Sequence, residues 1–143
     1  MPQTALIEPG PAAAVPSMGT RLVVLMYDGA IGALDKALAA IERGDLETRC
    51  NCVNMTMDIL AKLSEALDHE QGGQVARNLD NLYDFMLARL MRTNLTNDPQ
   101  PAREVLRMLN VLYEAWRTLD ERVTAEALSH VVASQTPEMR AAG

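Results

Sequence analysis

Aromatic side chains are scarce in this chain. Phe, Trp and Tyr make up 3% of its 143 residues, which is low for a β-sandwich or a barrel. No segment alternates apolar and polar residues over the length of a strand. Ala, Leu and Met dominate instead, as they do in helix-rich chains. The composition therefore predicts an all-α fold, and the length fits one domain.

Positive charge is also in short supply. The chain has 13 Lys and Arg against 19 Asp and Glu, a formal net charge of −6. Nucleic-acid binders depend on Lys and Arg to neutralise phosphates, so this balance argues against one, and an acidic surface is poorly attracted to anionic membranes. The N-terminus has no basic region of a signal peptide, and no apolar run is long enough to span a bilayer. We therefore expect a cytoplasmic protein that neither binds nucleic acid nor inserts into membranes.

Residues that carry chemistry are few. The two histidines, His69 and His130, do not follow a Glu by three positions, so the Glu-x-x-His pattern of di-iron bundles is missing. Cys50 and Cys52 lie two apart on a predicted helix and point to opposite sides, so they are poorly placed to pair. We expect no catalytic residue, metal ligand or cofactor, and hence no enzyme. A bundle enzyme or metal protein remains as a rival that metal analysis of the purified chain would test.

Four apolar rows with heptad-like spacing are present, and each predicts a helix with one face toward its neighbours. The predicted helices cover residues 18–43, 46–68, 74–96 and 99–128. Their rows are, in chain order, Val23, Tyr27, Ala30, Leu34, Ala37 and Ile41; Leu46, Cys50, Val53, Met57, Leu60, Ser64 and Leu67; Val75, Leu79, Leu82, Met86 and Leu90; Ala102, Val105, Leu109, Leu112, Trp116, Leu119 and Val123. Short connections between them predict an antiparallel up-down-up-down four-helix bundle.

Helix-terminal residues support these limits. Ser17, Asp45 and Asp98 are expected as N-caps, and Asn97 as a left-handed stop. Residues 68–73 form the expected break between the second and third helices. Residues 1–16 hold four of the seven prolines and predict a flexible Pro/Ala-rich arm without a core pattern. The bundle domain is expected over 17–128 and a frayed tail over 129–143.

Two of the helices carry more apolar surface than one row needs. On the third helix Tyr83, Leu87 and Met91 form a second stripe at i, i+4 and i+8. On the first helix Leu22, Leu25 and Met26 lie beside the row, with small residues (Gly29, Gly32 and Ala33) below them on the same side. A bulky rim above a notch of small residues can admit another helix or an extended chain. For each of these two surfaces there are two alternatives: it completes a broad core, or it marks a binding site.

Several ordered blocks of this chain resemble the flagellin-specific export chaperone family, FliS. The first helix carries Leu25-Met26-Tyr27-Asp28-Gly29-Ala30-Ile31, which is similar to that family's Leu-Tyr-Asp-Gly-Ala-Ile signature. The resemblance continues through Leu67-Asp68, Gly72-Gly73, Asn78-Leu79, Leu82-Tyr83, Met86, Arg89-Leu90, Asn94 and Ala115-Trp116. It covers roughly residues 20–120. The chain departs from the family in its arm, which has no tyrosine, and in Thr20-Arg21, where a Pro-Glu pair is usual.

The resemblance implies a small helical bundle that binds the disordered C-terminal segment of flagellin in the cytoplasm, prevents its polymerisation and helps deliver it to the export gate. An export-gate component and other flagellar proteins are further partners that it implies. The alternative is a helical adaptor or chaperone for another client, such as an anti-sigma factor.

From the surplus apolar surface and this resemblance we expect a partner-binding site. In it, Asp28 and Asn78 anchor the backbone of the client or of the arm, and two tyrosines offer hydroxyl groups for hydrogen bonds. Some of its members are expected to be core. The expected partner-binding residues are Leu22, Met26, Tyr27, Asp28, Ile31, Asn78, Leu79, Tyr83, Leu87 and Met91.

Overall fold

The structure is a computed structural model that describes residues 11–15 and 18–135, apart from the side chain of residue 135. These residues form helices and connections without a strand. The helices are α1 (Pro11–Ala14), α2 (Thr20–Glu42), α3 (Leu46–Glu65), α4 (His69–Thr96) and α5 (Pro99–Gln135). The predicted all-α helical bundle is confirmed.

The four long helices close into a ring. Each of α2, α3 and α4 packs against the next helix, and α5 packs back against α2. Contacts between their side chains show that neighbouring helices are antiparallel. The Ser64 hydroxyl near the end of α3 donates to Asp80 early in α4 over 2.6 Å. Arg89 late in α4 bonds Glu104 early in α5, also over 2.6 Å. The core therefore lies along the axis of an up-down-up-down bundle.

From the end of α2 to the start of α5, the predicted limits of the helices are mostly confirmed. The Asp45 carboxylate caps α3 by accepting from the Thr48 N–H at 3.0 Å, and this bond lowers the pKa of Asp45. Asn97 takes the left-handed conformation after α4, with φ of 59°. Asp98 then accepts from the backbone N–H of Gln100 at 3.0 Å. Polar side chains at these positions satisfy backbone groups that a helix end leaves without partners.

The break before α4 is shorter than expected. The helix begins at His69 rather than at residue 74, with Asp68 as its N-cap, and the Asp68 carboxylate accepts from Gln71 N–H at 3.0 Å. One helical turn precedes Gly73, whose φ of 52° and ψ of −128° kink the chain. Glycine is the residue that adopts this conformation without strain. The glycines therefore mark a kink inside α4 instead of its start.

The N-terminal segment makes a core contact that the sequence did not predict. Ala14 and Val15 are buried, and the Asp68 N–H donates to the Ala14 carbonyl over 2.7 Å. Small side chains let α1 approach α4 closely at Gly72. Residues 11–15 of the predicted arm therefore contact the core, while residues 1–10 and 16 and the predicted cap at position 17 lie outside the described part.

Helix α5 extends farther than its apolar row. It continues to Gln135, seven residues beyond the predicted end at 128, because the interval holds no glycine and the next proline is Pro137. Every side chain described from 121 to 134 is exposed. The C-terminal part of α5 therefore runs past the core.

Core rows agree with the sequence on α2 and differ on the other helices. On α2, five of the six predicted residues are buried, all but Ile41. On α3 the buried row is Val53, Thr56, Leu60 and Leu63, and on α4 it is Ala76, Leu79, Tyr83, Met86, Leu90 and Thr93. On α5, Asp120 is buried while Leu119 is only partly so. The helices are rotated slightly from the orientation that apolar spacing alone predicts.

Candidate functional site

The structure separates the ten predicted partner-binding residues into three groups. Exposed members are Leu22, Asp28, Asn78 and Met91; partly buried members are Met26, Ile31 and Leu87; buried members are Tyr27, Leu79 and Tyr83. The exposed members lie on two different helices, α2 and α4. They do not form one continuous site.

The two predicted tyrosines are core residues. Their hydroxyl oxygens lie 2.7 Å apart in a buried hydrogen bond between α2 and α4, and Trp116 on α5 lies beside Tyr27. Burial raises the pKa of Tyr27 to about 12 and raises the pKa of Tyr83 further. The expectation that these hydroxyls serve a partner is corrected, because they already bond each other inside the bundle. Leu79 is also buried, so the expectation that it contacts a partner is corrected as well.

The solvent side of α2 keeps the expected rim and notch. Leu25 is 56% exposed and Leu22 is exposed beside it. A Cβ built at Gly29 would meet only the Ile59 side chain at 3.6 Å, and one built at Gly32 would meet nothing within 4 Å. We call Leu22, Leu25, Gly29 and Gly32 the α2 face. It is open apolar surface above an unfilled notch, whereas Ala33, the third small residue of the expected notch, is buried.

Apolar surface continues from the α2 face onto α3. Ile59 touches the position of Gly29, and Met55, one turn earlier on α3, is 56% exposed. Residues four apart share one side of a helix. The α2 face and Met55 together therefore offer apolar contacts along the boundary of two helices.

A polar cleft of about 310 Å³ flanks the α2 face on its other side, toward α5. The Thr20 hydroxyl donates to the buried Asp120 carboxylate over 2.8 Å, and Arg21 pairs with its other oxygen at 3.3 Å. Asp28 and Arg117 also line the cleft. Sequence reasoning missed Asp120, since an acidic residue one position from an apolar row resembles an ordinary exposed side chain.

The predicted stripe on α4 loses its first member to the core. Leu87 and Met91 remain along the boundary with α3. Asn94, one turn farther on α4, marks this boundary, since its side-chain amide donates to Asn54 of α3 over 2.9 Å. Asn78 lies elsewhere on α4, where its side-chain carbonyl accepts from Gln74 at 2.8 Å. The α4 stripe is therefore a narrower surface than expected.

A third apolar surface, between α4 and α5, was not predicted. Leu82, Arg107, Met108, Val111 and Leu112 line a groove of about 300 Å³, which we call the α4–α5 groove. Phe85, one turn after Leu82 on α4, is 45% exposed, and Val111 is 71% exposed. The available signal was Met108 and Val111, two apolar residues outside the predicted row of α5.

Metal and membrane features are both missing from the described part of the chain. Within it, no group of three or more His, Cys, Asp or Glu is placed to hold a metal ion. No helix there combines the length and apolarity that crossing a membrane requires.

Comparison with known proteins identifies relatives over most of the bundle. The sequence profile of the family described as "Flagellar protein FliS" matches residues 15–123. The Flagellar secretion chaperone FliS of Salmonella typhimurium is 35% identical over 105 residues, which are 73% of this chain and 78% of that protein. The Flagellar secretion chaperone FliSB of Pseudomonas aeruginosa is 36% identical over 96 residues, 67% of this chain and 76% of its own length.

More distant relatives carry the same name. The Flagellar secretion chaperone FliS of Bacillus subtilis is 25% identical over 96 residues, covering 67% of this chain and 71% of that protein. The match begins at the buried residue Val15 and ends just after the last core residue of α5. With its helical bundle and the relatives' identity over most of its length, the chain belongs to the FliS family of flagellar secretion chaperones.

Proposed function

We propose that this protein is a cytoplasmic, non-enzymatic chaperone that binds the disordered C-terminal segment of flagellin, prevents premature polymerisation and aids delivery to the flagellar secretion apparatus. The observation that supports this most is the α2 face, open apolar surface on an otherwise folded bundle. Exposed apolar surface of this kind marks an interaction site. The relatives named as flagellar secretion chaperones supply the class of client.

A disordered client suits several separate surfaces. The α2 face, the α4 stripe of Leu87 and Met91, and the α4–α5 groove lie on different sides of the bundle. A segment that folds on binding can wrap around such surfaces, though it spends part of the interaction energy on becoming ordered. The proposed client thus touches each surface with a different part of its length.

Calorimetric titration with a flagellin C-terminal peptide tests the proposal. We expect binding at micromolar concentrations and at least about a tenfold loss of affinity when Leu22 and Leu25 are both replaced by Ser, since two exposed leucines lose their contacts. Leu128→Ser is the matched control, because Leu128 is 60% exposed and lies on the part of α5 that runs past the core, outside these surfaces. It should retain the wild-type affinity and the wild-type suppression of flagellin polymerisation in light scattering.

Two results would count against this function. Absence of binding by the wild-type chain at micromolar peptide would contradict flagellin as client. Equal affinity of the double Leu variant and Leu128→Ser would remove the α2 face from the site. Binding of another flagellar or regulatory protein in place of flagellin would instead support the adaptor alternative.

A further inference from the structure

The α4–α5 groove differs from the other apolar surfaces in the charge that surrounds it. Arg107 lines the groove itself, and Arg103 lies one helical turn before it on the same side of α5. Arg92 lies two turns after the exposed Phe85 on the same side of α4. The groove therefore carries three guanidinium groups at or near one end.

These three arginines make no ion pair with the described residues, although the protein has an excess of carboxylates. Arg21, Arg43, Arg89 and Arg117 each pair with an Asp or Glu. Glu104, one turn before Met108 on α5, is already bonded to Arg89 at 2.6 Å, and Glu114, one turn after Val111, is paired with Arg117 at 3.1 Å. Free positive charge beside an apolar groove is thus left in a chain whose net charge is −6.

Such a combination of charge and shape selects a particular ligand chemistry. An amphipathic helix seats apolar anchors in a groove between two helices. Guanidinium groups beside the groove favour a ligand with carboxylates, and they disfavour a basic one. The groove runs along less than two turns of α5, from Arg107 to Leu112, so a short helical segment would cover it.

We propose that the α4–α5 groove receives an acidic amphipathic helix of the client, with an apolar side chain between Phe85 and Val111 and a carboxylate paired with Arg107 and Arg103. This inference rests on the proposed function and adds a charge rule to it. Apolar contacts hold the helix, and the arginines fix its position and direction along the groove. The pairing lies at an exposed rim, so it is weakened by salt.

A charge-exchange titration with the flagellin C-terminal peptide tests the inference. Arg107→Glu should lower the affinity at least about tenfold at low salt and flatten its salt dependence. Val111→Ser should lower it without changing the salt dependence. Arg122→Glu is the matched control, because Arg122 is exposed on α5 beyond the groove, and it should bind as the wild type does.

A second arm uses peptides in which each Asp or Glu is replaced in turn by Lys. One of them should bind Arg107→Glu more tightly than the unmodified peptide does, which a merely structural effect of the substitution would not produce. If wild type binds and the groove variants bind equally well, the groove inference is overturned while the proposed function stands. If the wild-type chain binds no peptide at all, both are overturned.

Discussion

Tyr27 and Tyr83 show how a polar group is placed in an apolar core. Each hydroxyl needs a partner once it leaves water, and the 2.7 Å bond between them meets that need for both. Trp116 adds a third helix to the cluster. Three of the few aromatic residues of the chain therefore meet at one buried point. They fix the positions of α2, α4 and α5 relative to one another along the bundle axis.

The tyrosine pair predicts a loss of stability in alkali. Both pKa values are higher in the folded chain than the ordinary value of 10.0, because burial disfavours the phenolate. Their contribution is fully present below pH 10 and is lost as the pH rises from 10 through the folded pKa of each tyrosine, which is about 12 for Tyr27. The free energy of unfolding should fall above pH 10 by up to about 1.4 kcal/mol per pH unit for each tyrosine.

Urea titrations between pH 7 and 11.5 measure this effect. Tyr83→Phe should cost about 1 kcal/mol at pH 7 and should lose less stability than wild type as the pH rises. Tyr113→Phe removes a hydroxyl at the edge of the α2–α5 cleft and should stay within about 0.5 kcal/mol of wild type at pH 7. An alkaline slope that is identical in wild type and Tyr83→Phe would contradict the role of the pair.

At the scale of an element, α1 is a short helix whose position depends on one glycine. A Cβ at Gly72 would lie 2.7 Å from the Ala76 Cβ and 2.8 Å from the Ala14 Cα. Gly72→Ala should therefore push α1 off α4 and destabilise the chain by about 1–3 kcal/mol. Urea denaturation, followed by circular dichroism, measures the change.

Gly32 offers a matched control within α2. A Cβ there meets nothing within 4 Å, so Gly32→Ala should stabilise the protein by about 0.5–1 kcal/mol through helix propensity alone. The opposite signs separate the crowding at Gly72 from the general effect of a glycine in a helix. Equal stability of the two variants would show that α1 does not constrain position 72.

Helix limits and core rows were not equally predictable. Caps such as Asp45 and the left-handed Asn97 are local signals, so the ends of α3 and α4 follow from neighbouring residues. The side of a helix that faces the core depends on its neighbours. Thr56 is buried because its hydroxyl donates to backbone carbonyls of its own helix at 3.0 Å and of α2 at 3.4 Å, and apolar spacing gives no sign of that.

The candidate site was predicted in part for the same reason. The α2 face was foreseen, since Leu25 and the two glycines of its notch lie together on one helix. The α4–α5 groove needs Leu82 from one helix and Val111 from another, so no spacing within one segment indicates it. Tyr83 belongs to one of two apolar stripes that run side by side in the sequence of α4, and only the orientation of the helix decides which stripe is core.

At the scale of the whole molecule, the buried contacts of α5 are concentrated in its N-terminal part. Residues 102–120 contribute to the core, whereas side chains from 121 to 134 are exposed. Local opening depends on buried contacts, so backbone amides of 121–134 should exchange with solvent at least about a hundredfold faster than those of 102–120. Hydrogen exchange followed by mass spectrometry measures both segments in one sample, and equal protection along α5 would contradict this division.

The single tryptophan of the chain gives the bundle an optical signal of its own. Trp116 is buried against Tyr27, so its fluorescence emission should shift to longer wavelength only when the core opens. A client on the α2 face or in the α4–α5 groove would leave the indole in the same surroundings. Emission from this one residue therefore distinguishes a variant that has lost its fold from one that has lost only its client.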